Sequence, residues 1–164
     1  ALEDQGISVY GDVVGSGLAE ALAAYLGQAE AGDYVSLQAY LTPSGPTSEI
    51  LQRIQTCVRD RLRLATTVGY GPRFLHSTGQ LHKGDAGKGL FIQITAADAE
   101  DAAIPDEAGR PESSATFGVL KAAQALGDRQ ALLDAGRRVL RVDLGSEVEW
   151  GLRRVEEEAG RCKT

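Results

Sequence analysis

Apolar residues recur along this chain with two different periods. Between Gly15 and Gln28, the residues Leu18, Leu22, Tyr25 and Leu26 share one face of a 3.6-residue period, which predicts an amphipathic helix. After the turn cluster Thr42–Pro46, a longer stripe of Ile50, Leu51, Ile54, Val58, Leu62 and Ala65 predicts a second helix with arginines on its outer side. Thr47 or Ser48 is placed to cap it, because a hydroxyl can accept from an otherwise orphaned backbone N–H. A third helix is expected from Thr116, again as a cap, to Leu126; Gly127 and Asp128 break it, and Gln130 to Ala135 form a short helix beyond. After Ser146 comes a terminal helix with Val148, Leu152, Val155 and Ala159 in a row. Trp150 lies off that row, either as an exposed aromatic or as a contact to another chain.

The remaining apolar runs have strand composition: Tyr34–Leu41, Ala65–Val68, Leu90–Thr95 and Arg137–Leu144, with Ile7–Tyr10 as a short edge strand. Leu90–Thr95 is almost continuously apolar, the pattern of a strand buried on both faces. Ala96 to Ala115 is acidic and rich in small residues, and reads as a long surface loop. Strands alternating with helices imply right-handed crossovers and an α/β three-layer sandwich, a mainly parallel sheet flanked by helices. Ligands of such folds bind beyond the carboxyl ends of the strands.

One stretch, Gly69 to Gly84, breaks the pattern. It holds both histidines of the chain, His76 and His82, with Arg73, Lys83, Ser77, Thr78, Gln80 and glycines at 69, 71, 79 and 84. Polar side chains this dense rarely all find partners in a core. The stretch is therefore either a solvated loop or a loop and helix start that hold an anionic, hydroxylated ligand. It begins directly after the strand ending at Val68, where such ligands bind. A phosphate suits Arg73, Lys83, Ser77, Thr78 and the glycine amides, sugar hydroxyls suit Gln80, and a histidine can move a proton at a sugar oxygen. Asp85 adds an acid beside that set. The two histidines lack a third ligand at zinc spacing, and no metal or other cofactor is expected.

Composition narrows the classes. The chain has 164 residues, a single-domain length, with a net charge of −6 that argues against a general nucleic-acid or membrane surface. No apolar run approaches the roughly 20 residues needed to span a bilayer. Cys57 sits within a helical pattern and reads as core, Cys162 lies in a tail, and their pairing stays open; a reducing cytoplasm is the expected location.

The residues Thr67 to Gly84, with Gly32-Asp33-Tyr34 and Thr116 to Asp128, resemble the carboxyl-terminal part of the glucose-6-phosphate isomerase module of bacterial bifunctional transaldolase/glucose-6-phosphate isomerases. The resemblance runs from about Gly32 to Leu144. It implies one sugar-isomerase domain, the second of two, with a core of about 32–144 and the terminal helix at 146–160. Gln80-Leu81-His82-Lys83-Gly84 is similar to the family's catalytic-histidine sequence, so His82 is the implied ring-opening residue. Lys121 and Gln124 stand as candidates for the family's late lysine and glutamine. The family's Glu-Ser-Asn-Gly-Lys motif, which carries the proton-transfer glutamate, has no counterpart here, and Asp85-Ala86 departs from the usual continuation.

Two functions follow as expectations. One is half of an aldose–ketose isomerase site for glucose 6-phosphate and fructose 6-phosphate, completed by the preceding isomerase and transaldolase domains or by a second subunit of a homodimer. The other is a non-catalytic sugar-phosphate-binding or dimerisation module.

Overall fold

The computed structural model describes residues 1–161. In chain order its strands are β1 Leu2–Asp4, β2 Ile7–Tyr10, β3 Tyr34–Tyr40, β4 Ala65–Tyr70, β5 Gly89–Thr95, β6 Ala103–Ile104, β7 Ala115–Thr116 and β8 Arg138–Asp143. Its α-helices are α1 Leu18–Leu26, α2 Gly45–Leu62, α3 Gly79–Gly84, α4 Phe117–Asp134 and α5 Val148–Arg161, and a 3-10 helix spans Arg73–His76. The main sheet has six strands in the order β1-β2-β8-β5-β3-β4. From β8 to β4 the pairing is parallel, and β1 and β2 add an antiparallel hairpin at the β8 side. The four long strands expected in one parallel sheet are all there. Ile7–Tyr10 is not the edge: β2 pairs on both sides, and β1 takes the rim.

Alternation along the strands sorts their side chains onto two faces. Val35, Leu37 and Ala39 of β3, Leu90, Ile92 and Ile94 of β5, and Leu140 and Val142 of β8 join Leu22, Leu26, Ile50, Leu51, Ile54, Val58, Leu152 and Val155 in one large core under α1, α2 and α5. The opposite face carries Ser36, Gln38, Tyr40, Phe91, Gln93 and Val139, and lies under α3 and α4. Helices thus cover both faces, giving three layers.

Local chemistry explains where the elements differ from expectation. Ser44, not Thr47 or Ser48, caps α2: its Oγ accepts from Thr47 N–H at 3.2 Å, while Thr47 Oγ1 accepts from Ser44 N–H at 2.9 Å. The reciprocal pair satisfies two orphan donors at once. Ala65 does not continue the α2 stripe; Arg63 turns left-handed (φ 54°) and the chain enters β4. Thr116 caps α4 as expected, accepting from Val119 N–H at 3.2 Å. Gly127 and Asp128 do not break α4, which runs on to Asp134, because Asp128 finds buried partners on the sheet side. The loop after β5 is pinned by the two-residue ladder β6–β7. Cys57 is half-buried on α2, not core, and Cys162 lies outside the described residues.

Candidate functional site

The stretch from Gly69 to Gly84 is built around Phe74. This ring is buried and stands edge-on to Tyr40, with centroids 5.6 Å apart. A Cβ at Gly69 would lie 3.3 Å from the Phe74 side chain, one at Gly71 2.6 Å from the Tyr40 ring, and one at Gly79 3.2 Å from the Phe74 carbonyl oxygen. Three of the glycines therefore serve internal close packing rather than the approach of a ligand to the backbone. The Gly71–Pro72 peptide is cis.

His82 points inward. It is 5% exposed and lies among the rings of Phe91, Phe74 and Tyr34, at centroid distances of 5.1, 6.0 and 6.3 Å. Gln38 Nε2 is 3.2 Å from His82 Nδ1. With that amide donating to Nδ1, the neutral ring carries its proton on Nε2. Burial holds the imidazole below its ordinary 6.5, against the opposing pull of Asp128 and Asp85, so the neutral form is favoured. His82 lines a groove of about 550 Å³ with Gln38, Thr67, Gly69, Thr78 and Leu81, beside the open edge strand β4. No carboxylate lines it.

The charges flanking His82 are committed to the fold. Lys83 Nζ sits 2.6 Å from Asp128 Oδ1, tying α3 to α4, and Tyr40 donates its hydroxyl to the other Asp128 oxygen at 3.3 Å. Asp85, expected as an acid opposing a bound anion, instead accepts from the Tyr34 hydroxyl at 2.6 Å and pairs with Arg137 at 3.1 Å. Arg137 also donates to the carbonyls of His82, Lys83 and Asp85. Lys83 and Asp85 thus anchor α3.

A second cavity opens at the carboxyl ends of β3, β4 and β5. It measures about 600 Å³, and Tyr70, Arg73, His76, Asp98, Asp101 and Lys121 line it. Here β3 leads to β4 on one side and β5 leads to β8 on the other, so the cavity occupies the switch point of the sheet. Lys121 pairs with Asp98 across it. Asp101 caps α4: hydrogen bonds from the Thr116 hydroxyl and the Gly118 N–H, the latter at 2.7 Å, hold its carboxyl below the usual range. A Cβ at 118 would lie 2.7 Å from that carboxylate, which would have to move to admit it. Tyr70 hydroxyl reaches Ser48 Oγ at 2.9 Å and Thr47 Oγ1 at 3.3 Å. Arg73 and His76 are exposed on the rim, and among the described residues neither is paired with an acid.

The expected site is therefore divided. Arg73, His76 and Lys121 share the cleft; His82 and Thr78 share the groove, which buried Phe74 also lines. Ser77 spends its hydroxyl on the Phe74 carbonyl at 3.2 Å, Gln80 is exposed outside both cavities, and Gln124 is half-buried on α4. Residues that sequence reasoning missed are Gln38, Asp98, Asp101, Asp128 and Tyr70. Gln38 left a trace as the one amide in an apolar strand, and Asp98 and Asp101 as acids just past the end of β5. Among the described residues no three His, Cys, Asp or Glu side chains are grouped to hold a metal ion, and no helix is long and apolar enough to cross a membrane.

No family model matches the chain, and no curated protein matches its sequence. Among solved structures, it is similar to a hypothetical protein from Thermus thermophilus, with a TM-score of 0.75 at 18% identity over 90% of this chain. The match spans 39% of that protein's length. The likeness shows a shared α/β fold.

Proposed function

We propose that this chain supplies one half of an aldose–ketose isomerase site for glucose 6-phosphate and fructose 6-phosphate, in a sugar-isomerase-type domain. The observation that carries this reading is the neutral His82, fixed at Nδ1 by Gln38 and lining a groove that holds no carboxylate. A neutral imidazole whose Nε2–H donates to a sugar ring oxygen polarises the carbon–oxygen bond that opens, the part a neutral histidine plays toward a substrate oxygen in other isomerases. The second step, moving a proton between adjacent carbons, needs a base. The groove lacks one, so the base comes from another domain or a second subunit seated along the open edge of β4. The sugar that meets His82 is then presented from outside this chain.

A second reading, a binding module without turnover, is favoured by the unpaired Arg73 and His76 on the cleft rim. In a chain of net charge −6, an uncommitted arginine at a strand-end cleft is where a phosphate dianion would settle. Titration with fructose 6-phosphate, followed by imidazole NMR and by an isomerase assay, separates the two. The first reading expects the His82 Nε2–H resonance to move and the purified chain to turn over little or nothing by itself. A silent His82 with a shifted His76, and binding lost in Arg73→Ala, selects the second. Robust turnover by the chain alone contradicts both.

A further inference from the structure

A third cavity opens at the other end of the sheet, beside the start of β8. It measures about 620 Å³ and lies between the end of β2, α1 and the second half of α4. It shares no residue with the strand-end cleft or with the His82 groove. Three arginines line it, Arg129, Arg137 and Arg138, against one acid, the exposed Asp12. In a chain of 17 basic and 23 acidic residues, this cavity runs against the charge of the whole.

The three arginines are not alike. Arg138 is held by buried Asp33 at 3.1 Å and by the Gln28 carbonyl at 3.0 Å. Arg137 is held by Asp85 at 3.1 Å and by the carbonyls of His82, Lys83 and Asp85. Those bonds fix both guanidinium groups in place. Arg129 has no such anchor: among the described residues it makes no hydrogen bond and no ion pair, and its Nε is buried. A buried donor without a partner costs stability, so the fold alone does not account for this placement. Nor does the helix dipole, since Arg129 lies before the last turn of α4. A further arginine, Arg141, stacks 4.0 Å over the ring of Tyr10, which lines the cavity, and it too is paired with no acid among the described residues.

We propose that this cavity binds the phosphate group of a small phosphorylated molecule, with Arg129 as its principal contact. A guanidinium fork matches phosphate oxygens two at a time, and a tetrahedral dianion has oxygens for more than one fork, where a carboxylate has them for one. The volume is that of a ligand site rather than an ion site. Tyr10, Leu133 and Val139 offer an aromatic ring and two aliphatic side chains to the organic part. The inference is independent of the function proposed above, because the strand-end cleft and the groove lie elsewhere.

Calorimetric titration of the full chain tests it, with phenyl phosphate, inorganic phosphate and benzoate as probes. Arg73→Ala serves as the background, so that an anion at the strand-end cleft does not contribute. Phenyl phosphate should bind one to one, about tenfold more tightly than inorganic phosphate, because its ring also reaches the apolar walls. Benzoate should bind more weakly than phenyl phosphate. Arg129→Gln should weaken both phosphates by about 10–100-fold, the effect of losing a charged hydrogen bond, and should not lower the melting temperature, since no bond within the chain is lost. Leu133→Trp, which fills the apolar side, should weaken phenyl phosphate and spare inorganic phosphate. Phenyl phosphate that fails to saturate the chain at millimolar concentration overturns the proposal. So does binding that Arg129→Gln leaves unchanged, or benzoate that binds as tightly as phenyl phosphate.

Discussion

The two faces of the central sheet are built to different rules. On the face under α1, α2 and α5, the inward residues of β3, β5 and β8 are all aliphatic, and the outward side of α2 is polar or charged. On the face under α3 and α4 a polar row crosses the sheet in register: Gly69, Gln38, Gln93, Arg141 and Tyr10, strand by strand. Gln38 turns to His82, Gln93 donates to the Ala125 carbonyl at 3.0 Å, and Arg141 stacks on the Tyr10 ring at 4.0 Å. Gln38 Oε1, Gln93 Oε1 and Arg141 Nε have no partner among the described residues, although they are buried. Such groups cost about 1–3 kcal/mol each when left unpaired. The first face is made for stability; the second gives up stability around the histidine and the strand-end cleft.

The largest effect should come from the first face. Leu37 is fully buried between α1, α2 and α5, and Leu37→Ala should destabilise by about 2–5 kcal/mol in urea unfolding, through lost transfer energy and the cavity left behind. Leu126→Ala, on the outer side of α4, should change the monomer by less than about 0.5 kcal/mol. Similar losses at the two leucines would erase the distinction between the faces.

On the second face the stabilising contact is ionic. Asp128 is almost completely buried, whereas its partner Lys83 keeps a quarter of its side chain in solvent. Lys83→Met leaves an uncompensated carboxylate inside and should cost about 2–4 kcal/mol. The double variant with Asp128→Leu should recover most of that, because a buried pair replaced by apolar groups is often near neutral. A double variant no more stable than Lys83→Met would show that Asp128 is needed for more than its ion pair, through its bond from Tyr40.

Periodicity reads the first face well because burial there is decided locally: each helix stripe and each strand alternation is complete in its own segment. It misreads the second face because burial there is decided by partners distant in the chain. Gly127-Asp128 has the signature of a helix stop until Lys83 and Tyr40 are brought against it. The side chains of His82 and Lys83 look unpartnered in the sequence until Gln38 and Asp128 are brought against them. The glycines at 69, 71 and 79 look like a ligand cradle, yet each is explained by Phe74 or Tyr40 in space. Arg73, His76 and Lys121 are the part of the expected site that does gather at the strand ends. The parallel sheet and its four long strands were legible throughout.

His82 gives the second face a pH signature. Burial lowers its folded value below 6.5, so the unfolded chain takes up the proton more readily than the folded one. Its contribution is flat above about 6.5, and stability should fall as pH drops from there toward the lowered folded value, at no more than about 1.4 kcal/mol per pH unit. Urea midpoints measured across that window should lose this slope in His82→Gln, which keeps a polar group opposite Gln38. A slope unchanged by the substitution would mean that the imidazole is solvated and readily protonated in the folded chain.

The smallest effect should be the most discriminating. Gly127 lies in the interior of α4, away from the left-handed region, and a Cβ there meets no atom within 4 Å of its own chain. A helix-interior glycine costs about 0.5–1 kcal/mol relative to alanine, so the monomer gains nothing from it. In dilute solution Gly127→Ala should therefore raise the melting temperature, by about 2–3 °C for a chain of this size. Gly118→Ala, nine residues earlier on the same helix, should do the opposite, because its methyl group would collide with the Asp101 carboxylate. A Gly127→Ala chain that melts lower than the wild type would mean that the added methyl meets a neighbour after all, and a Gly118→Ala chain that melts no lower would mean that the Asp101 carboxylate moves aside at little cost.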